Sequence, residues 1–174
     1  VQLVTIVEAL LGDVVRTVVA RYPQKIGGKK TVPIQAVLEA TSIEEIQLRA
    51  VDALLNEMSY KSPKEFAEFL GEMLSLNLLE CVAFHRYMEI KASRDIFIHN
   101  RGIVNEVYMR KSCSHLRAQL GMQLPADIQY FLESYESCLQ LTEWLEKQLH
   151  ERWHSSEFEE RLEAQMNMPL PESE

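Results

Sequence analysis

The chain has 174 residues, of which 47% are hydrophobic and 25% are charged, and its net charge is −8 at pH 7. This length predicts one domain with a real core, and the acidic balance excludes a protein coated in basic surface for nucleic acid. No apolar run is long enough to span a membrane, and the three cysteines form no CxxC pair. We therefore expect a cytoplasmic protein with reduced thiols, and neither a membrane nor DNA as its partner.

The first half of the chain has the apolar spacing of helices. A first helix is predicted over residues 2–21, and Pro23 ends it. Ser42 and Ser62 each precede a glutamate by three residues, which is the pattern of a capping box at a helix start. The further predicted helices are a short one over 32–39 that starts at Pro33, and longer ones over 43–59 and 63–74.

The second half is predicted to be helical as well. A helix is expected over residues 76–98 and a further helix or helical turn over 103–114. Asn100-Arg101-Gly102 is the stop signal between them, because Gly102 can take the left-handed conformation. A long last helix follows Pro125. Its predicted core-facing seam, with residues three and four apart, is Ile128, Phe131, Tyr135, Cys138, Thr142, Leu145 and Leu149.

The fold predicted from these elements is an all-α bundle of four to five main helices with short accessory helices. The helical domain is expected to cover residues 1–154. Residues 155–174 are acidic and aperiodic, so we predict that they form a disordered tail.

Arg94 lies where its predicted helix favours an apolar residue. On a helical wheel that starts at Leu79, Arg94 falls in the same arc as Tyr87 and Phe97. A cation on a core-facing stripe costs free energy unless it is paired, lies at an interface or meets an anionic ligand. Residues 86–117 carry seven basic residues against three acidic ones, so the basic charge of this acidic chain concentrates around Arg94.

Arg94 and His99 form a candidate catalytic pair for phosphodiester cleavage in RNA. A histidine can exchange protons with the ribose 2′-hydroxyl or the leaving oxygen, and an arginine can hold the phosphate. Five residues on a straight helix place two side chains about 140° and 7.5 Å apart. They converge if the helix ends between them, or if a second copy of the chain supplies the partner residues. The alternative is an arginine paired with a neighbouring carboxylate, and a surface histidine at a helix end.

The stretch from Ser93 to Tyr108 resembles the motif segment of HEPN domains (higher eukaryotes and prokaryotes nucleotide-binding), a family of helical bundles that includes many metal-independent ribonucleases. The family pattern is an Arg and, four to six residues later, a His, with a polar residue such as Asp95 directly after the Arg. The resemblance implies a homodimer formed through the motif helices and a bacterial role in antiviral defence or a toxin–antitoxin system. An antitoxin or a sensor protein would be a further partner. Toxins that pair with a nucleotidyltransferase antitoxin usually carry a Tyr where this chain has Arg101.

The function predicted on this basis is an endoribonuclease that needs no metal or cofactor and leaves a 2′,3′-cyclic phosphate. Arg94 would bind the scissile phosphate and His99 would act as general acid or base. Supporting residues would be Asp95 and Asn100, and contacts to the RNA backbone would come from Lys91 and Arg101. The alternative function is a non-catalytic HEPN module that binds a partner protein or a nucleotide, in which Arg94 forms an interface salt bridge.

Residues 150–154 read HExxH, which is the spacing of a zinc metalloprotease motif. We expect no zinc site there. A third ligand would have to follow on a scaffold, whereas only the acidic, proline-containing tail follows, and no strand precedes.

Overall fold

The computed structural model describes residues 2–27, 33–112 and 114–153. Over these ranges the protein is all-α, as predicted, with five helices of 12 to 26 residues and two of six residues. The helices are α1 (Gln2–Arg21), α2 (Ile34–Glu39), α3 (Ile43–Ser59), α4 (Pro63–Leu74), α5 (Val82–His99), α6 (Glu106–Lys111) and α7 (Ile128–Trp153). None of these helices is long and apolar enough to cross a membrane. The predicted disordered tail, residues 155–174, lies outside the described ranges.

The two predicted capping boxes differ in detail. At α4 the box is complete, because Ser62 accepts from the Glu65 N–H and the Glu65 carboxylate accepts from the Ser62 N–H. At α3 Ser42 accepts from the Glu45 N–H at 3.2 Å, but the Glu45 carboxylate accepts from the N–H and hydroxyl of Thr41. Those two bonds, with one from Arg49, lower the pKa of Glu45 to about 2. At each helix start a serine hydroxyl therefore satisfies one of the free N–H groups.

Three helix starts lie later than predicted. Within the element predicted over 103–114, the helix begins only at Glu106 and runs to Lys111, because the Asn105 side chain accepts from the Tyr108 N–H and caps α6. The helix that carries Arg94 begins at Val82, because Leu78–Glu80 form a 3₁₀ turn instead of its first turn. The Asn77 side chain donates to the Glu80 carboxylate at 2.6 Å and favours that turn. α2 begins at Ile34, so Pro33 is its N-cap rather than its first helical residue.

α5 is the central helix and is buried on several sides. It packs on α1, α6 and α7, and ten of its eighteen residues are buried. The single apolar arc predicted for it, which includes Val82, is wrong, since Val82 is 74% exposed whereas Met88 and Glu89 are buried. A helix that is covered from several directions has no single stripe.

The predicted seam of α7 is wrong in its first half. Ile128, Phe131 and Tyr135 are exposed, and the residues that α7 buries are Ser134, Cys138, Leu141 and Leu145. The shift has a polar cause, because the hydroxyl of Tyr130 in the first turn of α7 donates to the buried carboxylate of Glu89 on α5.

The apolar interior consists of two clusters on opposite parts of α5. The larger one joins α1, α3, α4, the first half of α5 and α7. The smaller one lies beside the second half of α5 and is formed by Ala92, Ile96, Val104, Tyr108 and Leu124.

The predicted stop signal after α5 is confirmed. The N–H groups of Asn100 and Gly102 both donate to the carbonyl of Ile96, at 2.9 and 3.0 Å. Arg101 and Gly102 have φ of 53° and 76°, so the chain reverses through two left-handed residues. The Leu124 N–H then donates to the Gly102 carbonyl at 2.8 Å and fixes residues 121–124 beside the end of α5.

Gly102→Ala is predicted to destabilise the protein by about 2–3 kcal/mol. A Cβ at this position would lie 2.3 Å from Gln123 Nε2 and 3.1 Å from the Phe97 ring, on a residue with positive φ. Gly121→Ala is the matched control, since Gly121 has φ of 79° but nothing within 4 Å of a Cβ, and its expected loss is about 1 kcal/mol. Urea unfolding measures both losses, and equal losses would contradict a packing role for Gly102.

Candidate functional site

Four of the six predicted site residues line one cavity. Lys91, Arg94, Asp95 and His99 lie on it from α5, and the cavity has a volume of about 530 Å³. Its other walls come from α1, α3, α4 and α6, and their charged or aromatic residues include Glu8, Arg16 and Lys111, with Tyr60 directly after α3. The space is of the size that accommodates a small ligand.

The helix does not end between Arg94 and His99. α5 continues to His99, and Asn100 is its C-cap, so the first of the two predicted routes to convergence is wrong. Both side chains nevertheless line the same cavity, with His99 exposed in the last turn of α5. A ligand in the cavity can therefore reach both.

Arg94 is held by two carboxylates. Its Nη1 donates to Asp95 Oδ1 at 2.8 Å and its Nη2 donates to Glu8 Oε2 at 2.9 Å, while the side chain is 22% exposed. Its Nε is buried without a hydrogen-bond partner. These pairs explain how a cation is tolerated at this position, and they agree with the alternative in which Arg94 is paired with neighbouring carboxylates.

Glu8 also binds a second cation. Its Oε1 lies 2.8 Å from Lys91 Nζ, and the Lys91 side chain is only 7% exposed. The ammonium group also lies 5.0 Å from the centre of the Phe66 ring. One carboxylate from α1 therefore bridges the two cations that α5 places one turn apart.

The cavity has an excess of positive charge. Asp95 accepts from Arg94 and lies 3.7 Å from Lys111 Nζ on α6. Four cationic side chains line the cavity against two carboxylates, before His99 is counted. The cations are Arg16, Lys91, Arg94 and Lys111, and the carboxylates are Glu8 and Asp95. Arg16 is already paired, at 2.9 Å each, with Asp13 and Asp52 outside the cavity, so the excess consists of Lys91, Arg94 and Lys111 against Glu8 and Asp95.

Asn100 and Arg101 do not line the cavity. The Asn100 side-chain amide donates to the Ile103 carbonyl at 2.5 Å and so supports the turn after α5. Arg101 is exposed at the first left-handed position of that turn. The structure thus brings the Arg–His pair, Asp95 and Lys91 together and leaves these two residues outside.

Three residues of the cavity were not predicted from the sequence: Glu8, Lys111 and Tyr60. The signal that singled out Arg94 also applies to Glu8, because Glu8 is charged and lies four residues after Val4 and three before Leu11, both of them buried. Tyr60 is 79% exposed at the cavity rim. The pairing of Glu8 with Arg94, 86 residues away, has no local signal.

The HExxH segment lies at the end of α7. His150 and Glu151 are exposed there, and His154 is outside the described residues. Among the residues that the structure describes, no group of three His, Cys, Asp or Glu side chains could hold a metal ion.

Comparison of the chain with protein-family models, with curated proteins and with solved structures finds no match.

A second polar cluster lies on the opposite side of α5. Glu89 is 1% exposed and accepts hydrogen bonds from Ser93 at 2.5 Å, Tyr108 at 2.9 Å and Tyr130 at 3.0 Å. Arg117 Nη1 lies 3.7 Å from the same carboxylate, and its guanidinium stacks 3.2 Å from the centre of the Tyr130 ring. Its partners leave this buried carboxylate satisfied, so the cluster is structural and ties α6 and α7 to α5.

Glu89→Ala is predicted to lower the free energy of unfolding by about 3–5 kcal/mol, because it leaves Arg117 and two tyrosine hydroxyls without their partner. Glu133→Ala is the matched control. Glu133 is half-exposed and lies 3.6 Å from Arg86, so its removal should cost less than about 1 kcal/mol. Similar losses in urea unfolding would refute the structural role of Glu89.

Ionisation of Tyr130 is expected to destabilise the cluster at high pH. Burial and the nearby charge of Glu89 raise the pKa of Tyr130 to about 12. Because the pKa of this tyrosine is higher in the folded than in the unfolded protein, its neutral form contributes to the free energy of unfolding, by about 2–3 kcal/mol at most. This contribution is complete below about pH 10 and is lost as the pH rises through about 12. Unfolding measured from pH 9 to 12 should therefore show a smaller loss of stability in Tyr130→Phe than in the wild type. Parallel curves would contradict this assignment.

Proposed function

We propose that the chain is a HEPN-type endoribonuclease that cleaves RNA without a metal ion, with Arg94 and His99 as its catalytic residues. The observation that supports this most directly is that both residues line one cavity together with Lys91 and Asp95. The motif residues thus share a space that a ligand can enter.

In the proposed reaction His99 takes the proton from the ribose 2′-hydroxyl, and the 2′-oxygen attacks the adjacent phosphorus. The bond from phosphorus to the 5′-oxygen breaks. A second His99, from the partner copy in a homodimer, gives its proton to that leaving oxygen. The products are a 2′,3′-cyclic phosphate and a 5′-hydroxyl, so atoms and charge balance.

Arg94 would stabilise the charge that develops on the phosphate. A guanidinium has five N–H donors, and the bonds to Asp95 and Glu8 use two of them. The remaining Nη donors would bind the nonbridging oxygens, and Lys91, which is paired with Glu8, would add its charge nearby.

Single-stranded RNA fits this site best. The acidic chain repels a polyanion in general, whereas the cation-rich cavity attracts it locally. Tyr60, exposed at the rim, offers a face for stacking one base, and such stacking contributes about 1–3 kcal/mol. A cytoplasmic role in bacterial defence or as a toxin, with an antitoxin or sensor as partner, is part of the proposal and depends on the resemblance to HEPN domains.

A non-catalytic interaction module is the second candidate. Two observations favour it: Arg94 is already paired with Glu8 and Asp95, and α7 has an exposed apolar stripe that a partner protein could cover. The stripe residues are Ile128, Phe131, Leu132, Tyr135 and Leu139.

Cleavage of a structured RNA with single-stranded loops, in excess EDTA, is the deciding test. We expect wild-type cleavage, and losses of about 100-fold or more in Arg94→Lys and His99→Ala, because the first removes the planar fork and the second the proton carrier. Matched controls are Arg49→Ala, which removes an arginine held by Glu39 and Glu45 outside the cavity, and His150→Ala. Both controls should keep full activity.

Each variant is first checked for helical content by circular dichroism and for mass in solution. The cleaved ends should carry 2′,3′-cyclic phosphates, and 3′-hydroxyl ends would contradict the mechanism. A wild type that cleaves no RNA, together with an Arg94→Lys variant that loses only its assembly, would favour the interaction module.

A further inference from the structure

A carboxylate of the protein itself, that of Glu8, already binds two cations of the cavity. Lys91 is the cavity's least exposed cation, and both Lys91 and Arg94 bind the carboxylate of Glu8, at 2.8 and 2.9 Å. Each cation binds a different oxygen of that carboxylate. Glu8 belongs to α1 and its side chain is 30% exposed, so the bridge lies where a ligand in the cavity can reach it.

This bridge has the geometry with which proteins hold phosphate. A lysine and an arginine commonly bind two nonbridging oxygens of one phosphate, and a carboxylate presents its two oxygens in a similar way. A phosphate group has more oxygens than the two of a carboxylate. Arg94 also has an unsatisfied donor, since its Nε is buried without a partner in the present arrangement.

We propose that Lys91 and Arg94 form a phosphate-binding site in which Glu8 is an internal competitor that the ligand must displace. The identification of the ligand as the phosphodiester of single-stranded RNA depends on the proposed function, whereas the phosphate site does not depend on cleavage. Glu8 holds the two cations in place when the site has no ligand. It also weakens binding, because a ligand must break two ion pairs before it makes its own.

Removal of the Glu8 charge therefore has two opposite effects. Without a ligand, Glu8→Gln leaves Lys91 and Arg94 close together and poorly compensated, which lowers the melting temperature. With a phosphate ligand, the same variant binds more tightly than the wild type. A residue that only positioned Arg94 would give weaker binding in the variant.

The test is isothermal titration of a 2′-O-methyl RNA ten-mer, which has no free 2′-hydroxyl and cannot be cleaved, and of uridine 3′-monophosphate. We expect Glu8→Gln to bind the ten-mer about tenfold more tightly than the wild type, since one competing ion-pair bridge is gone. Glu133→Gln removes the same charge outside the cavity, where Glu133 pairs with Arg86, and it should change affinity by less than about twofold. Inorganic phosphate should raise the melting temperature of Glu8→Gln more than that of the wild type.

Unchanged or weaker binding in Glu8→Gln would overturn the proposal. Should Glu8→Gln fail to fold, Glu8→Asp keeps the charge but is one methylene too short to bridge both cations, and it should also bind more tightly. Equal affinity in Glu8→Asp and the wild type overturns the proposal as well. Tighter binding of the nucleotide but not of the ten-mer supports the site with a free nucleotide as its ligand.

The outcomes for Glu8 and for cleavage are separable. Tighter binding in Glu8→Gln without any cleavage by the wild type supports the phosphate site and counts against the ribonuclease. Cleavage that depends on Arg94 and His99, with no gain in affinity in Glu8→Gln, supports the ribonuclease and overturns the competitor role of Glu8.

Discussion

The arrangement of α5, α6 and α7 depends on one buried carboxylate. A charge that is 1% exposed is tolerated only if it is paired and hydrogen-bonded, and Glu89 meets both conditions through three hydroxyls and Arg117. The hydroxyls come from α5, α6 and α7, so the positions of α6 and α7 along α5 are tied to a single group. Arg117 extends the effect to the loop, since it also donates to the Pro125 carbonyl.

α5 carries buried or half-buried charges of both signs, and Glu89 meets its complement on a different side from Lys91 and Arg94. Glu89 is directed toward α6, α7 and their connecting loop, whereas Lys91 and Arg94 are directed toward Glu8 on α1. The central helix is therefore polar at two places inside the protein. One place is closed by its partners, while the other opens into the cavity, and this difference separates a structural cluster from a candidate ligand site.

Local chemistry made much of the fold predictable. The start of α4 follows from Ser62, Pro63 and Glu65, and the end of α5 from Gly102, because caps and left-handed turns are decided by a few adjacent residues. The seam of α7 was not predictable from spacing, since its rotation is set by Tyr130 and a carboxylate 41 residues earlier. The candidate site was likewise predictable only in part. The position of Arg94 indicated that it needs a partner, but the choice of Glu8 is decided by how α1 packs on α5.

The division of the interior into two clusters has a consequence for hydrogen exchange. The smaller cluster has five buried residues, and it holds α6 and the chain around residues 103–124 against α5. Its opening would break the bonds of Glu89 to Tyr108 and Arg117 but would leave the larger cluster of α1, α3, α4 and α7 intact. Such a segment opens at a lower free energy than the whole protein, so its amide protons exchange before those of α1 and α5. Because α6 carries Lys111, the same partial opening would widen the cavity on one side while the bundle stays folded.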